Sequence, residues 1–455
     1  MEYQEFINQK SFRQIQSGFD VESLDYGLFD YQKPIVKWAL KRGKSAIFAD
    51  TGLGKTAMQL AWADQVAKKT GGPVIILAPL AVSNQTIEEG VKFGVDVEKA
   101  NPGAPMFGPS IVISNYEQLH KFNPDDFQGI VLDESSILKG MDGRRRREIT
   151  EFGKHIPYRL SCTATPSPND FMELGTQSEF LGIMSQIEML AMFFIHDGGD
   201  VAKWRLKGHG EAKFFQWLAT WSIVIRNPDD LGFDGTSHIL PPLIYHSHVI
   251  ETEPEDSLFV EPAQGLQDRN KARKDSVKDR VQKAAEIANG MTGQVLIWCN
   301  LNEESELLTA AINDAVEVKG ADKPEHKTNT LIGFAHGDVR VLVSKPKIAG
   351  FGMNWQNCNQ MIFVGLSDSW EAYYQAIRRC WRFGQKSEVH VHVVSADTEG
   401  AVIENIQRKD QQNKVLGEKM VKHMKTMMDK SIFSAATTKT EYNPTIKMEI
   451  PKWLM

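Results

Sequence analysis

Ala49-Asp50-Thr51-Gly52-Leu53-Gly54-Lys55-Thr56 decides how the rest of this chain is read. It follows a short apolar run, Ser45-Ala46-Ile47-Phe48, and precedes Ala57-Met58-Gln59-Leu60-Ala61-Trp62-Ala63. The first flank reads as a buried strand and the second as a helix. Strand, glycine loop and helix form the context of a phosphate-binding loop. Glycines let the backbone curl so that several N–H groups point at one anion, and the helix adds its positive end. Lys55 is then placed to reach the outer phosphates of a nucleotide, and the Thr56 hydroxyl to hold Mg2+. Ala49 stands where the common pattern begins with glycine, but the Gly-Leu-Gly-Lys-Thr core is intact. The bland alternative, a glycine turn with a stray lysine, leaves the flanking strand and helix unexplained.

Working outward, short apolar runs alternate with helical patterns. Pro73 to Pro79, Ser110 to Ser114 and Gly129 to Asp133 each read as a strand ending in polar residues. That alternation predicts an α/β fold with a parallel sheet covered on both faces, and ligands bind at the carboxyl ends of such strands. Asp133-Glu134 ends one strand. Beside a phosphate loop, Asp133 is suited to hold Mg2+ and Glu134 to orient and deprotonate an attacking water; alone, such a pair is only a solvated strand end. Upstream, Pro34 fits a first helical turn. Gln32 has an amide able to bond both edges of adenine, yet by itself reads as a surface glutamine. Leu160 to Pro166 is a strand end rich in small hydroxyl residues.

From 171 to 238 phenylalanines and tryptophans recur at helical spacing, which predicts a helical insertion and link with its aromatics in the core. After Ile239-Leu240-Pro241-Pro242 comes a charged segment, then a helix from Arg269 to about Gly290. Strand patterns follow at Gln294–Cys299, Val339–Ser344, Gln360–Val364 and Val389–Val394. This is a second parallel α/β unit without a phosphate loop. The expected division is 1–170 for the first lobe, 171–238 for the insertion, 239–429 for the second lobe and 430–455 for an irregular tail.

The 455 residues have room for two domains, with 42% apolar and 24% charged residues and a net charge of −6. That balance argues against bulk attraction to nucleic acid but leaves room for a local basic track. Arg144-Arg145-Arg146-Arg147 with Lys139 is such a track, or else a solvated basic turn. Cys162, Cys299, Cys358 and Cys380 are scattered, so neither a zinc site nor a disulfide framework is expected and a reducing compartment is. No signal-peptide apolar region and no run of about 18 apolar residues appears, so a cytoplasmic, membrane-free protein is expected.

Two α/β units with one phosphate loop resemble the paired RecA-like lobes of the superfamily-two helicases. Gln375-Ala376-Ile377-Arg378-Arg379-Cys380-Trp381-Arg382-Phe383-Gly384-Gln385 is similar to the closing Gln-Ala-x-x-Arg-x-x-Arg-x-Gly-Gln motif of the Swi/Snf-type ATPases. Lys347 to Trp355 and Thr163-Ala164-Thr165-Pro166-Ser167-Pro168-Asn169 resemble two further motifs of that group, as do Trp221 to Asp230 and Leu240 to Pro242 the stretch joining its lobes. The resemblance runs from about Leu28 to about Lys414. Asp133-Glu134-Ser135-Ser136 departs from it in the fourth place, where most of the family carries histidine, and His326-Lys327 stands where an arginine often opens a helix. The short insertions suit a compact bacterial or phage relative.

The resemblance implies ATP with Mg2+. Gln32, Thr51, Gly52, Leu53, Gly54, Lys55, Thr56, Gly352 and Asn354 would bind the nucleotide. Thr56 and Asp133 would hold the metal, and Lys55, Asp133, Glu134, Arg379 and Arg382 would act in hydrolysis, the two arginines reaching across the cleft. Asn115, Tyr116, Lys139, Arg144, Arg145, Thr163, Asn169 and Lys347 would face nucleic acid. The implied activity is ATP-driven movement along duplex or branched DNA, without processive strand separation, since no hairpin signal stands in the second lobe. A strand-separating DNA or RNA helicase, and an ATP switch that remodels protein without nucleic acid, stay open.

Overall fold

The computed structural model describes residues 17–103, 108, 110–139, 143–196, 204–251, 276–349, 353–367, 369–397 and 400–433. The first lobe starts with α1 (Gln32–Arg42), β1 (Lys44–Ala49) and α2 (Lys55–Thr70). Then come β2 (Val74–Ala78), α3 (Ser83–Phe93), β3 (Glu98–Lys99), β4 (Ile111–Asn115), β5 (Gly129–Asp133), α4 (Arg144–Lys154) and β6 (Tyr158–Cys162). β2 and β5 are buried along their whole length, as strands covered on both faces must be, which is why they read as unbroken apolar runs.

The segment after 170 continues the lobe instead of standing apart as a helical insertion. It holds α5 (Leu174–Leu181), α6 (Gln186–Phe193), the antiparallel pair β7 (Phe194–His196) and β8 (Trp204–Leu206), α7 (Glu211–Trp221) and β9 (Ser222–Ile225). β9 pairs in parallel with β1, so the sheet runs β3-β4-β2-β5-β6-β1-β9. Ser222-Ile223-Val224-Ile225 is a buried β-branched run that directly abuts the aromatic helix, and the helical period hid it. The aromatics are core, as expected. Phe214 meets Phe193, Phe194, Phe215 and Trp217 at ring-centroid distances of 5.4 to 5.7 Å. Truncating it to alanine is expected to cost about 3–5 kcal/mol.

The second lobe comprises β10 (Leu243–Ile250), α8 (Val277–Asn289), β11 (Val295–Trp298), α9 (Asn302–Ala311), β12 (Ala315–Val318) and α10 (Pro324–His336). It goes on through β13 (Val341–Ser344), α11 (Pro346–Ala349), β14 (Gln360–Val364), α12 (Trp370–Ile377), β15 (Val389–Ala396) and α13 (Gly400–Phe433). Its parallel sheet runs β10-β15-β14-β11-β13-β12. β10 replaces part of the expected charged segment. It is an edge strand whose half-buried histidines match those of β15: His246 bonds His390 and His248 bonds His392, each at 3.0 Å. Arg269 to Lys274, expected to open a helix, lies outside the described residues; α8 begins at Val277.

α13 departs most from expectation. It passes the proposed start of an irregular tail at 430 and ends at Phe433, and 434–455 lie outside the described residues. Val402 and Ile406 sit in the second lobe's core, whereas Met420 is buried in the first lobe's. Lys419 pairs with Glu211 at 3.1 Å, and Asn413 Nδ2 donates to the Pro168 carbonyl at 3.1 Å. The helix therefore straps the two lobes together.

Candidate nucleotide site between the lobes

β1 delivers the chain to a tight loop that α2 continues. Gly52 and Gly54 adopt φ of 89° and 68°. A Cβ on Gly54 would lie 2.3 Å from Gln32 Nε2, and one on Gly52 would lie 3.0 Å from Phe383 Cβ of the second lobe. Backbone conformation and close approach thus both demand glycine here. Lys55 Nζ donates to the carbonyls of Ala49 at 2.9 Å and Asp50 at 3.3 Å. Burial lowers its pKa, against the pull of Glu134, Asp50 and Asp133.

Gln32 is no surface residue; it is 1% exposed. Its Oε1 accepts from the Phe29 N–H and its Nε2 donates to the Leu53 carbonyl, both at 2.9 Å, so its amide ties α1 to the loop. Tyr31 donates to the same carbonyl at 3.1 Å. Beside it Phe29 stacks on Tyr31, and His238 lies 4.7 Å from the Phe383 ring. This aromatic group carries no motif, and sequence reasoning missed it.

Asp133 closes β5 and accepts from Gln59 Nε2 at 2.7 Å. Glu134 has φ of 54°, a left-handed conformation that costs a non-glycine residue roughly 1–3 kcal/mol and marks sites where backbone strain serves a purpose. Thr163 donates to Glu134 Oε2 at 3.2 Å, and Tyr116 donates to the Asp133 carbonyl at 2.6 Å. Burial pushes both carboxyls above their ordinary values; Lys55 opposes the shift in each, as does the Gln59 bond at Asp133.

Across the cleft, Arg379 donates to the Gln375 and Met353 carbonyls at 3.1 Å and to Gln375 Oε1 at 3.0 Å, within electrostatic reach of Glu134 and Asp133. Arg382 Nε and Asn354 Oδ1 are buried with no hydrogen-bond partner among the described residues. Burial, with Arg379 and Arg378 beside it, pushes Arg382 down to about 9. Arg378, which the motif leaves variable, reaches the phosphate loop: its Nη2 lies 3.2 Å from Asp50 Oδ1 and donates to the Thr51 carbonyl at 2.7 Å. An extra arginine beside the motif's own was the only available signal. Gly352 lies outside the described residues.

The donor set fits a Mg2+-bound nucleotide. A cradle that tolerates only glycine adjoins a half-buried lysine, a threonine hydroxyl and two carboxylates, and Asn354, whose Oδ1 is buried without a hydrogen-bond partner among the described residues, lines the cavity beside it. A cavity of about 1650 Å³ runs across both lobes and is lined by Asn115, Tyr116, Lys139, Arg145, Lys347 and Asn354 among others. The expected nucleic-acid residues divide here. Thr163 is 0% exposed, absent from the cavity lining and bonded to Glu134, whereas Tyr116, though buried and bonded through its hydroxyl to the Asp133 carbonyl, also lines the cavity. Lys139 pairs with Glu371 of the second lobe, Asn169 with Glu173 at 2.8 Å, and Arg144, away from the cavity lining, with Glu148 at 2.8 Å.

Residues 29–174 match the family model of the DEAD/DEAH box helicase, and residues 278–384 that of the helicase conserved C-terminal domain. No curated protein matches the sequence. Among solved structures the chain is similar to the Sulfolobus solfataricus SWI2/SNF2 ATPase core in complex with dsDNA. The identity is 17%, over 90% of this chain and 98% of that one, with a TM-score of 0.42. Both halves of a two-lobed helicase core are present, and the chain is a helicase-like enzyme that hydrolyses ATP. More narrowly, it is a nucleic-acid-dependent helicase or translocase ATPase.

Proposed function

We propose that this chain is a Swi/Snf-type motor of the cytoplasm that couples ATP hydrolysis to movement along duplex or branched DNA. One observation carries the reading: Arg379 of the second lobe is buried within electrostatic reach of Glu134 and Asp133 of the first, while Arg378 beside it reaches the phosphate loop, so the hydrolytic site is composite. Thr56 and Asp133 would hold Mg2+, which neutralises phosphate charge. Lys55 binds the outer phosphates. Glu134, held by Thr163 and its own strained backbone, orients the attacking water and accepts its proton. Arg379 and Arg382 stabilise charge spreading over the phosphoryl oxygens only when the lobes are closed, which ties turnover to lobe motion. Asn115, Arg145 and Lys347 on the shared cavity supply contacts for a nucleic-acid backbone.

Strand separation has one observation behind it, the β7–β8 pair in the first lobe, where a hairpin had not been expected. A single titration discriminates the readings. ATP turnover is measured with single-stranded DNA, duplex DNA, forked DNA and RNA, alongside unwinding of a tailed duplex. Duplex or forked DNA is expected to stimulate at least as well as single strands, with weak unwinding. Stimulation by single strands alone, with robust unwinding, would overturn the translocase reading in favour of a strand-separating helicase. Stimulation by none would point to a protein-remodelling switch.

A further inference from the structure

Helix α12 turns one face toward the first lobe, and Glu371 and Tyr374 on it, with Arg378 at its C-cap, stand three and four residues apart along one side. At one end Tyr374 donates to Asp50 Oδ1 and Arg378 grips both Asp50 and Thr51 in the phosphate loop. At the other end Glu371 pairs with Lys139 and accepts from Thr165 Oγ1 at 3.4 Å. The Thr165 N–H in turn donates to Thr163 Oγ1 at 3.1 Å, and Thr163 holds Glu134.

These contacts cross the cleft between residues far apart in the chain, and each has at least one partner drawn out of water. Arg378 is 5% exposed. Its guanidinium lies over the Tyr374 ring at 5.7 Å and the Trp381 ring at 5.0 Å, and Trp381 Nε1 donates to the Pro241 carbonyl in the link between lobes. Burial works against the Asp50 carboxylate, but Arg378 and Tyr374 outweigh it and hold the group below its ordinary value. A largely buried pair so braced is costly to break on one side, because the surviving charge loses its partner with little water to replace it.

We propose that this face of α12 is a coupling bar: Arg378 and Tyr374 position the phosphate loop through Asp50 and Thr51, while Glu371 positions Glu134 through Thr165 and Thr163. None of the three reaches a reacting atom; they are positioning residues. Lys139 thereby belongs to the bar and not to the nucleic-acid track. The inference rests on the composite hydrolytic site above, and it explains how that site senses the seating of the second lobe.

The test is a double-mutant cycle of Asp50→Asn and Arg378→Gln on the full chain, read as kcat and KM for ATP without nucleic acid. Each single change is expected to lower kcat roughly 10-fold with KM within about twofold, and the pair to do no worse than either alone. Additive losses, unchanged kcat, or a loss that tracks a fall in Tm would overturn the proposal. A second arm uses Glu371→Gln, which weakens the acceptor of the Thr165 hydroxyl while keeping the size of the side chain. It is expected to lower kcat with KM for ATP within about twofold and Tm unchanged; an unchanged kcat, or a loss that tracks a fall in Tm, would overturn the Glu371 branch. Arg379→Ala runs alongside. If it retains full turnover the composite site fails, while non-additivity in the cycle still reports on the bar.

Discussion

Arg144 to Arg147 open α4 on the outside of the first lobe, whereas Arg378 caps α12 and Arg379 and Arg382 follow it in the turn at the cleft. The outer group is the more conspicuous in the sequence and the less constrained in space. Arg144 is 89% exposed and pairs within its helix, Arg145 reaches Glu117 at 3.0 Å, and Arg146 bonds Gln186 at 2.7 Å. The exposed ion pairs of Arg144 and Arg145 are worth about 0.2–1 kcal/mol each, and only Arg146 is turned inward. In the inner group Arg378 and Arg379 are each 5% exposed, and Arg382 has a buried Nε without a hydrogen-bond partner among the described residues. Charge density along a chain therefore does not locate the working charges; burial beside a second buried charge does.

Mutations sharpen that contrast. The scale is set by Lys55→Ala, expected to abolish hydrolysis, and by Glu134→Gln, expected to stop turnover while leaving nucleotide binding; a filter-binding and phosphate-release assay on both checks this. Next, Arg379→Ala or Arg382→Ala should lower kcat on the order of 10³-fold with little change in ATP affinity, as loss of an arginine finger does. Equal loss of affinity and turnover would instead mark the inner arginines as structural.

A smaller effect follows from the acidic pair. Burial raises Glu134 above its ordinary 4.5, so the carboxylate needed for proton abstraction is lost at a higher pH than for an exposed glutamate. The kcat–pH profile should accordingly show an acid limb displaced above that value. The linkage sign is the reverse for stability: the raised pKa contributes stability at acid pH that is lost as pH rises through it. The smallest change belongs to the outer group. Arg144→Ala with Arg145→Ala should alter stability by no more than about 0.5 kcal/mol and flatten the salt dependence of DNA binding by roughly one unit of slope per lost phosphate contact. An unchanged slope would leave that run as a solvated helix end.

The strand–loop–helix around Lys55, the strand ending in Asp133 and the closing arginine motif were legible because local pattern and local structure coincide there. β10 was not, because an edge strand needs only one half-buried face, and Tyr245-His246-Ser247-His248 reads as polar chain until its partner β15 is supplied. β9 was masked by the helix it abuts. Gln32 and Arg378 were undervalued for a different reason. Their importance lies in partners more than 20 and 320 residues away, Leu53 and Thr51, and no window along the chain contains both ends of such a bond.

The strap formed by α13 has a consequence for biosynthesis. Parallel strands joined across long separations fold slowly, and β10 waits for β15, some 144 residues downstream at His246 and His390. Even then, a nascent chain that has reached Ala396 carries two finished sheets and no strap. The contacts of Glu371, Tyr374 and Arg378 already cross the cleft, and the strap is added to them when Gly400 to Phe433 emerges and lays Met420 into the first lobe. Both lobes being on one chain, that fastening is a unimolecular event at high effective concentration. The motor thus leaves the ribosome with its two halves built first and their strap added last.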